Sequence, residues 1–136
     1  MTSEADLQVQ VADYLRLQYP SVMFHSDFGS GIKLTMGQAI KQKRQNGGRR
    51  AWPDMALAEP RGKYHGAYIE LKKAGTKIYT KKGTLVANEH IREQFDVLEQ
   101  LRKRGYMAEF ACGFDEAKRI IDEYLRQYGA SRKSNY

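Results

Sequence analysis

Pro53-Asp54-Met55-Ala56-Leu57-Ala58 and Ala67-Tyr68-Ile69-Glu70-Leu71-Lys72 are short runs of strand-compatible residues on either side of Glu59-Pro60-Arg61-Gly62-Lys63. The intervening stretch is rich in turn formers, so the two runs are expected to pair as neighbouring strands. Strand side chains alternate between faces. Glu70 and Lys72 therefore point one way and Ile69 and Leu71 the other, giving one chemical face and one core face. Asp54 opens the first strand, and Ala56 and Ala58 on its face leave room beside it.

Two carboxylates and an ammonium at this spacing suit one kind of chemistry. A hard divalent cation takes one or two carboxylates and fills its remaining positions with water and phosphate oxygen. Asp54 and Glu70 supply two acids, and Lys72 on the face of Glu70 is placed to orient a water or to stabilise charge developing on a phosphate. The bare pattern is weak, because Pro-Asp followed by acid-x-Lys arises by chance in roughly one chain of this length in a few tens. Its surroundings carry more information.

Upstream, Ser3 and Asp6 form a cap-like start to a first helix whose Leu7, Val11, Tyr14 and Leu15 recur at helical spacing up to Tyr19-Pro20. Glu4 and Gln8 extend the stripe of Val11 and Leu15, which lets them approach the sheet edge, while Asp6 caps. Val22-Met23-Phe24 is a strand candidate, followed by a Gly-containing loop in which Asp27 is given a turn role, with a place near the metal as the alternative. From Met36 to Arg50 the chain is polar and basic and is expected to begin as a helix that breaks at Gly47-Gly48. Its Lys41, Lys43, Arg44, Arg49 and Arg50 immediately precede Asp54, where they can hold a phosphate backbone. Trp52 is read as a core residue rather than a base-stacking one.

Downstream, residues 73 to 84 form a Gly/Lys/Thr-rich excursion, too polar for core and suited to a flexible lobe or a small hairpin beside a substrate. Asn88 caps a helix with a stripe of Ile91, Phe95, Leu98 and Leu101 that ends at Gly105. Gln94 borders that stripe, and an amide at a buried helix edge needs a polar partner. Tyr106 to Cys112 reads as the last strand, and a final helix starts at Asp115 with Ala117, Ile120, Ile121, Tyr124 and Leu125 inward.

The order of an acid-bearing first helix, a Gly-containing loop, a basic segment, Pro53-Asp54, Glu70-Leu71-Lys72 and a helix bearing Gln94 resembles the PD-(D/E)XK nuclease superfamily. More narrowly it resembles the small stand-alone VRR-NUC domains of bacteriophage type. The likeness runs from about Glu4 to Leu125 and includes Tyr64-His65-Gly66 and Gly113-Phe114-Asp115-Glu116-Ala117. It implies a metal held at Asp54, Glu70 and Leu71, with Lys72, Gln94 and a first-helix acid completing the catalytic set. That acid is Glu4 or Asp6. It also implies a restriction-endonuclease-like core. The chain departs from many family members at Ala51, where they carry Gly.

Composition bounds the reading. At 136 residues the length suits a single domain, read as residues 1–128 followed by a mobile basic tail over 129–136. A formal charge of +7 favours an acidic polymer as partner. No apolar run is long enough to span a bilayer and the N-terminus is polar, so a soluble, intracellular protein is expected, with no membrane partner. Cys112 is the only cysteine, which excludes an internal disulfide and a cysteine-rich zinc site. His25, His65 and His90 lack any zinc-binding spacing and are read as surface or hydrogen-bonding residues.

The expectation is an α/β domain, a mixed central sheet flanked by helices, acting as a Mg2+- or Mn2+-dependent DNA endonuclease on branched or otherwise structured DNA. A homodimer is expected, since a two-fold pair is the simplest way to cut both strands. Two rivals stand beside it. One is a non-catalytic nucleic-acid-binding protein, against which the two acids facing a phosphate argue; the other is a nuclease-fold subunit that needs a partner.

Overall fold

The computed structural model describes residues 3–27 and 33–127. Eight elements follow in the order α1 (Glu4–Gln18), β1 (Phe24–Ser26), α2 (Met36–Gln45), β2 (Met55–Leu57), β3 (Ala67–Lys72), α3 (Glu89–Lys103), β4 (Met107–Cys112) and α4 (Phe114–Leu125). The four strands form one sheet in sequential order, β1-β2-β3-β4. The β1–β2 and β2–β3 pairs are antiparallel, and β3–β4 is parallel with α3 as its crossover. The architecture is thus a mixed α/β sheet flanked by helices.

Alternation along β3 divides the molecule into two apolar layers. Ala67, Ile69 and Leu71 join Met55, Leu57, Met107 and Ala111 under α1 and α4, with Leu7, Val11, Leu15, Ile121 and Tyr124 at the centre. On the opposite face Tyr68, Ala108 and Phe110 pack with Ile91, Val97, Leu98 and Leu101 of α3. Because both faces are covered, β3 is buried along nearly its whole length. Helix α1 is pinned to α4 by polar contacts as well: Asp122 accepts hydrogen bonds from Tyr14 (2.6 Å) and Tyr19 (2.7 Å). Burial pushes the Asp122 carboxyl up, but these two hydroxyls and Lys118 outweigh it and leave it below the ordinary carboxylate value.

Two glycines of the family-like segments have steric reasons. A Cβ on Gly66 would lie 2.9 Å from the Leu57 carbonyl oxygen, so the turn into β3 can approach β2 only without a side chain. Gly113 adopts φ +88° at the start of α4, and a Cβ there would meet Ala74 at 2.9 Å.

Several expectations need correcting. The first strand is Phe24–Ser26 rather than Val22–Phe24, because its register is set by pairing of Phe24 with Leu57 and Ser26 with Met55. Val22 still enters the core, while Met23 is 72% exposed. The last helix begins at Phe114, one residue before Asp115, without a side-chain cap. The excursion after β3 forms the expected small hairpin, with a bridge between Tyr79 and Leu85, but it is not wholly polar: Ile78 is buried and packs with Leu85 and Val86 against α3. Phe95 is only half-buried, and Val97 takes the fully buried place beside Leu98. The tail expected over 129–136 lies outside the described residues.

Ala51 has φ +61°, the one non-glycine in the left-handed region among the described residues. Glycine, without a Cβ, adopts this conformation freely. An L-residue pays about 1–2 kcal/mol there, while glycine's extra freedom in the unfolded chain offsets about 0.4–1 kcal/mol. Ala51→Gly is therefore expected to stabilise the protein by up to about 1.5 kcal/mol, read as a higher urea midpoint; a lower midpoint would contradict the strain assignment.

Candidate active site

Pro53 sets Asp54 at the bend immediately before β2, where the chain turns into the sheet. The carboxylate is held there from the neighbouring strand: Leu71 N donates to Asp54 Oδ2 at 2.8 Å in a buried hydrogen bond. From the first helix, Gln8 Nε2 donates to the backbone oxygens of Asp27 (3.0 Å) and Asp54 (3.4 Å). Asp27 N in turn donates to Asp54 O at 2.7 Å. The bend carrying Asp54 is thus fixed by β3, α1 and the end of β1 together.

Glu70 lies one residue before Leu71, on the face of β3 opposite Ile69, and is 4% exposed. Its Oε1 accepts from Gln94 Nε2 of α3 at 2.8 Å, in a fully buried contact. Its Oε2 is buried and meets no hydrogen-bond donor. A buried carboxylate oxygen without a donor is costly. Burial, and then the negative charge of the nearby Asp54, push the Glu70 acid up to about 10. The positive charge of Lys72 acts the other way and Glu4 adds to the rise. Two acids this close need either a proton or a cation between them.

Asp54, Glu70 and Gln94 line a cleft of about 510 Å3. Glu4 of α1 and Asp27 also line it, as do Met36, Ile40 and Lys43 of α2, Arg49, Arg50, Trp52 and His90. Glu4 thus stands in the cleft, whereas Asp6 is exposed and absent from its lining, with its backbone N donating to Ser3 Oγ at 3.0 Å. Of the five basic residues singled out in the sequence, Lys43, Arg49 and Arg50 line the cleft, and Lys41 and Arg44 do not. Lys72 is buried and takes no part in the open wall. Leu71 is buried, with its side chain in the core beneath α1 and α4.

Asp27, given a turn role over a place near the metal, lines the cleft. His90, read as a surface or hydrogen-bonding residue, is exposed and lines it too; it precedes Gln94 by four residues, one turn on the same helix face, a spacing that would have flagged it once Gln94 was chosen. Two placements depart from the sequence reading. Ala56 and Ala58 do not line the cleft. The 73–86 hairpin contributes nothing to its lining, because Ile78 draws it against α3. Trp52 does pack as expected, its ring 6.3 Å from that of Tyr68, yet part of it remains in the cleft.

Among the described residues no group of three or more His, Cys, Asp or Glu side chains is arranged around a common metal position. The donor set instead fits a hard divalent ion, which needs one or two carboxylates and is otherwise satisfied by water and phosphate oxygen. The donorless Glu70 Oε2 near Asp54 is the observation that supports this fit.

A solved structure described as a VRR_NUC domain protein is similar to this chain: 26% of residues are identical, 95% of this chain and 92% of that one are covered, and the TM-score is 0.67. No family model and no curated protein matches the sequence.

Proposed function

For a chain that has the VRR-NUC nuclease fold, we propose the activity of a Mg2+- or Mn2+-dependent DNA endonuclease that hydrolyses phosphodiester bonds in branched or structured DNA. The observation that supports the reading is the buried, donorless Glu70 Oε2 beside Asp54 in a cleft also lined by Lys43, Arg49 and Arg50. In this reading Asp54, Glu70 and the Leu71 backbone hold the ion, with Glu4 facing it from α1. The ion, when bound, lowers the pKa of a water and neutralises charge on the scissile phosphate. Gln94 orients Glu70 through its 2.8 Å hydrogen bond, and Lys72 sets the charge of the site from beneath.

Lys43, Arg49 and Arg50 would bind the phosphate backbone, with Lys41 and Arg44 further out on the same basic segment. Each neutralised phosphate releases condensed counterions, so affinity should fall steeply with salt. Arg49→Gln/Arg50→Gln is expected to flatten the plot of log affinity against log salt by roughly 1.8 units on duplex DNA, at about 0.9 per lost contact. The loss should be equal across base sequences. An unchanged slope would mean that this segment is merely solvated.

Labelled linear, flapped and four-way DNAs incubated with Mg2+ or with EDTA test the activity itself. Cleavage of any of them in Mg2+ and none in EDTA is the expected result. Binding without cleavage by the pure chain would favour the rival of a subunit that needs a partner. No helix is long and apolar enough to cross a membrane among the described residues. The proposed assembly is a homodimer, for which sedimentation as a monomer at micromolar concentration with and without DNA would be the contrary finding.

A further inference from the structure

Helix α2 buries none of its residues, unlike the other three helices described. It is nevertheless a deliberately started helix. Thr35 Oγ1 accepts from Gln38 N at 3.1 Å and Gln38 Oε1 accepts from Thr35 N at 2.9 Å, a complete capping box. Met36, Ala39, Ile40 and Lys43 are spaced i, i+3, i+4 and i+7, which places them on one face, and all four line the cleft. Met36 is 81% exposed and Ile40 56%. Two large apolar side chains are thus held in water by a capped helix, on the side turned toward the carboxylates.

Trp52 belongs to the same cleft. Its ring leans on Tyr68 and its Nε1 donates to the Asn46 carbonyl at 3.4 Å. These contacts fix the indole while leaving it partly exposed. Arg49 and Arg50, three and two residues before it, line the same cleft.

We propose that the Met36/Ile40 stripe of α2 and Trp52 form a wall that receives an unpaired nucleobase beside the scissile phosphate. The substrate class is then DNA in which single-stranded nucleotides adjoin duplex. This rests on the nuclease reading and narrows it. Charge complementarity argues for a nucleotide over a purely apolar occupant: a nucleotide presents phosphate on one side and a flat apolar base on the other, matching the Lys43/Arg49/Arg50 set and the Met36/Ile40/Trp52 set of one cleft. The volume of about 510 Å3 is of the size that holds small organic ligands. A base in intact duplex keeps both faces stacked on its neighbours, so only an unpaired base can offer a face to such a wall.

The test uses gapped duplexes whose unpaired nucleotides either carry bases or are abasic, so that the phosphates are identical and only the bases differ. Affinity is measured in EDTA, where cleavage does not enter. Wild type should bind the base-bearing gap roughly five- to a hundredfold more tightly than the abasic one, the range that base stacking on protein side chains supplies. Met36→Ser/Ile40→Ser should lose most of that difference while keeping its affinity for the abasic gap and its urea midpoint, since neither residue is buried. Met36→Leu/Ile40→Leu should keep the difference.

Equal wild-type affinity for the two gaps overturns the proposal, as does a difference that survives in the Ser pair or is lost in the Leu pair. So does a Ser pair that turns a dimer into a monomer with its base preference intact, which would assign the stripe to a second copy of the chain. A protein that prefers base-bearing gaps yet never cleaves in Mg2+ would overturn the nuclease reading alone.

Discussion

Asp54→Asn and Glu70→Gln are expected to abolish divalent-dependent cleavage while leaving the fold intact, with rates falling by roughly a hundredfold to a thousandfold or to background. Each removes one of two negative oxygens that a hard ion requires and changes volume little. In Asp54→Asn the amide oxygen can still accept from Leu71 N. In Glu70→Gln the side-chain oxygen can still accept from Gln94 while the new amide N–H donates to Asp54, which should reproduce the protonated acid. A separate consequence in stability follows from the sign of the Glu70 shift. Its folded pKa lies far above its ordinary value, so between about pH 4.5 and 10 the folded protein holds a proton that the unfolded chain has released. Stability of the ion-free protein is then full below that window and declines as pH rises through it. Urea midpoints in EDTA at pH 5 and pH 9 should show this decline in wild type, a smaller one in Glu70→Gln, and recovery of wild type on adding Mg2+. Identical pH dependence in the two proteins, or full cleavage by both variants, would remove Asp54 and Glu70 as the site.

The fold was legible where side-chain periodicity was strong. Leu7, Val11 and Leu15 marked α1, Ile91, Leu98 and Leu101 marked α3, and the alternation of Ile69 and Leu71 with Glu70 and Lys72 foretold the two layers on either side of β3. It was less legible where an element is specified by its partner. Phe24–Ser26 is a strand because Leu57 and Met55 lie opposite, and a three-residue pattern does not encode that register. The acids at Asp54, Glu70 and Glu4 and the amide of Gln94 were visible as a set because chemistry and family likeness pointed to the same positions. Asp27 and His90 were less so: Asp27 reaches the cleft through tertiary placement, by the backbone bond to Asp54, whereas His90 stands one turn before Gln94, a local spacing that pointed to it once Gln94 was chosen. The apolar stripe of α2 was hidden for another reason. Met36 and Ile40 sit among five cations, so average polarity concealed a face that appears only when the helix is wound and its side toward the cleft is known.

Lys72→Met should turn over DNA about a hundredfold or more slowly at neutral pH while binding it nearly as well as wild type. Binding should persist because Lys72 is 6% exposed and does not line the cleft that receives the backbone. Methionine keeps most of the volume, so lost turnover would report lost charge rather than a cavity. A preorganised charge at a developing transition state is worth on the order of a hundredfold or more in rate. The pH profile separates two ways in which this ammonium can act. Its field favours the ionised form of Glu70, so without it the acid holds its proton more firmly; a deficit arising by this route shrinks as pH rises and Glu70 ionises unaided. A deficit of constant size at every pH would instead place the ammonium against the reacting phosphate, and Lys72→Arg should then rescue poorly, since a planar fork does not replace a point charge in the same space. Unchanged cleavage by Lys72→Met would make Lys72 a structural lysine, with only its aliphatic stem in use.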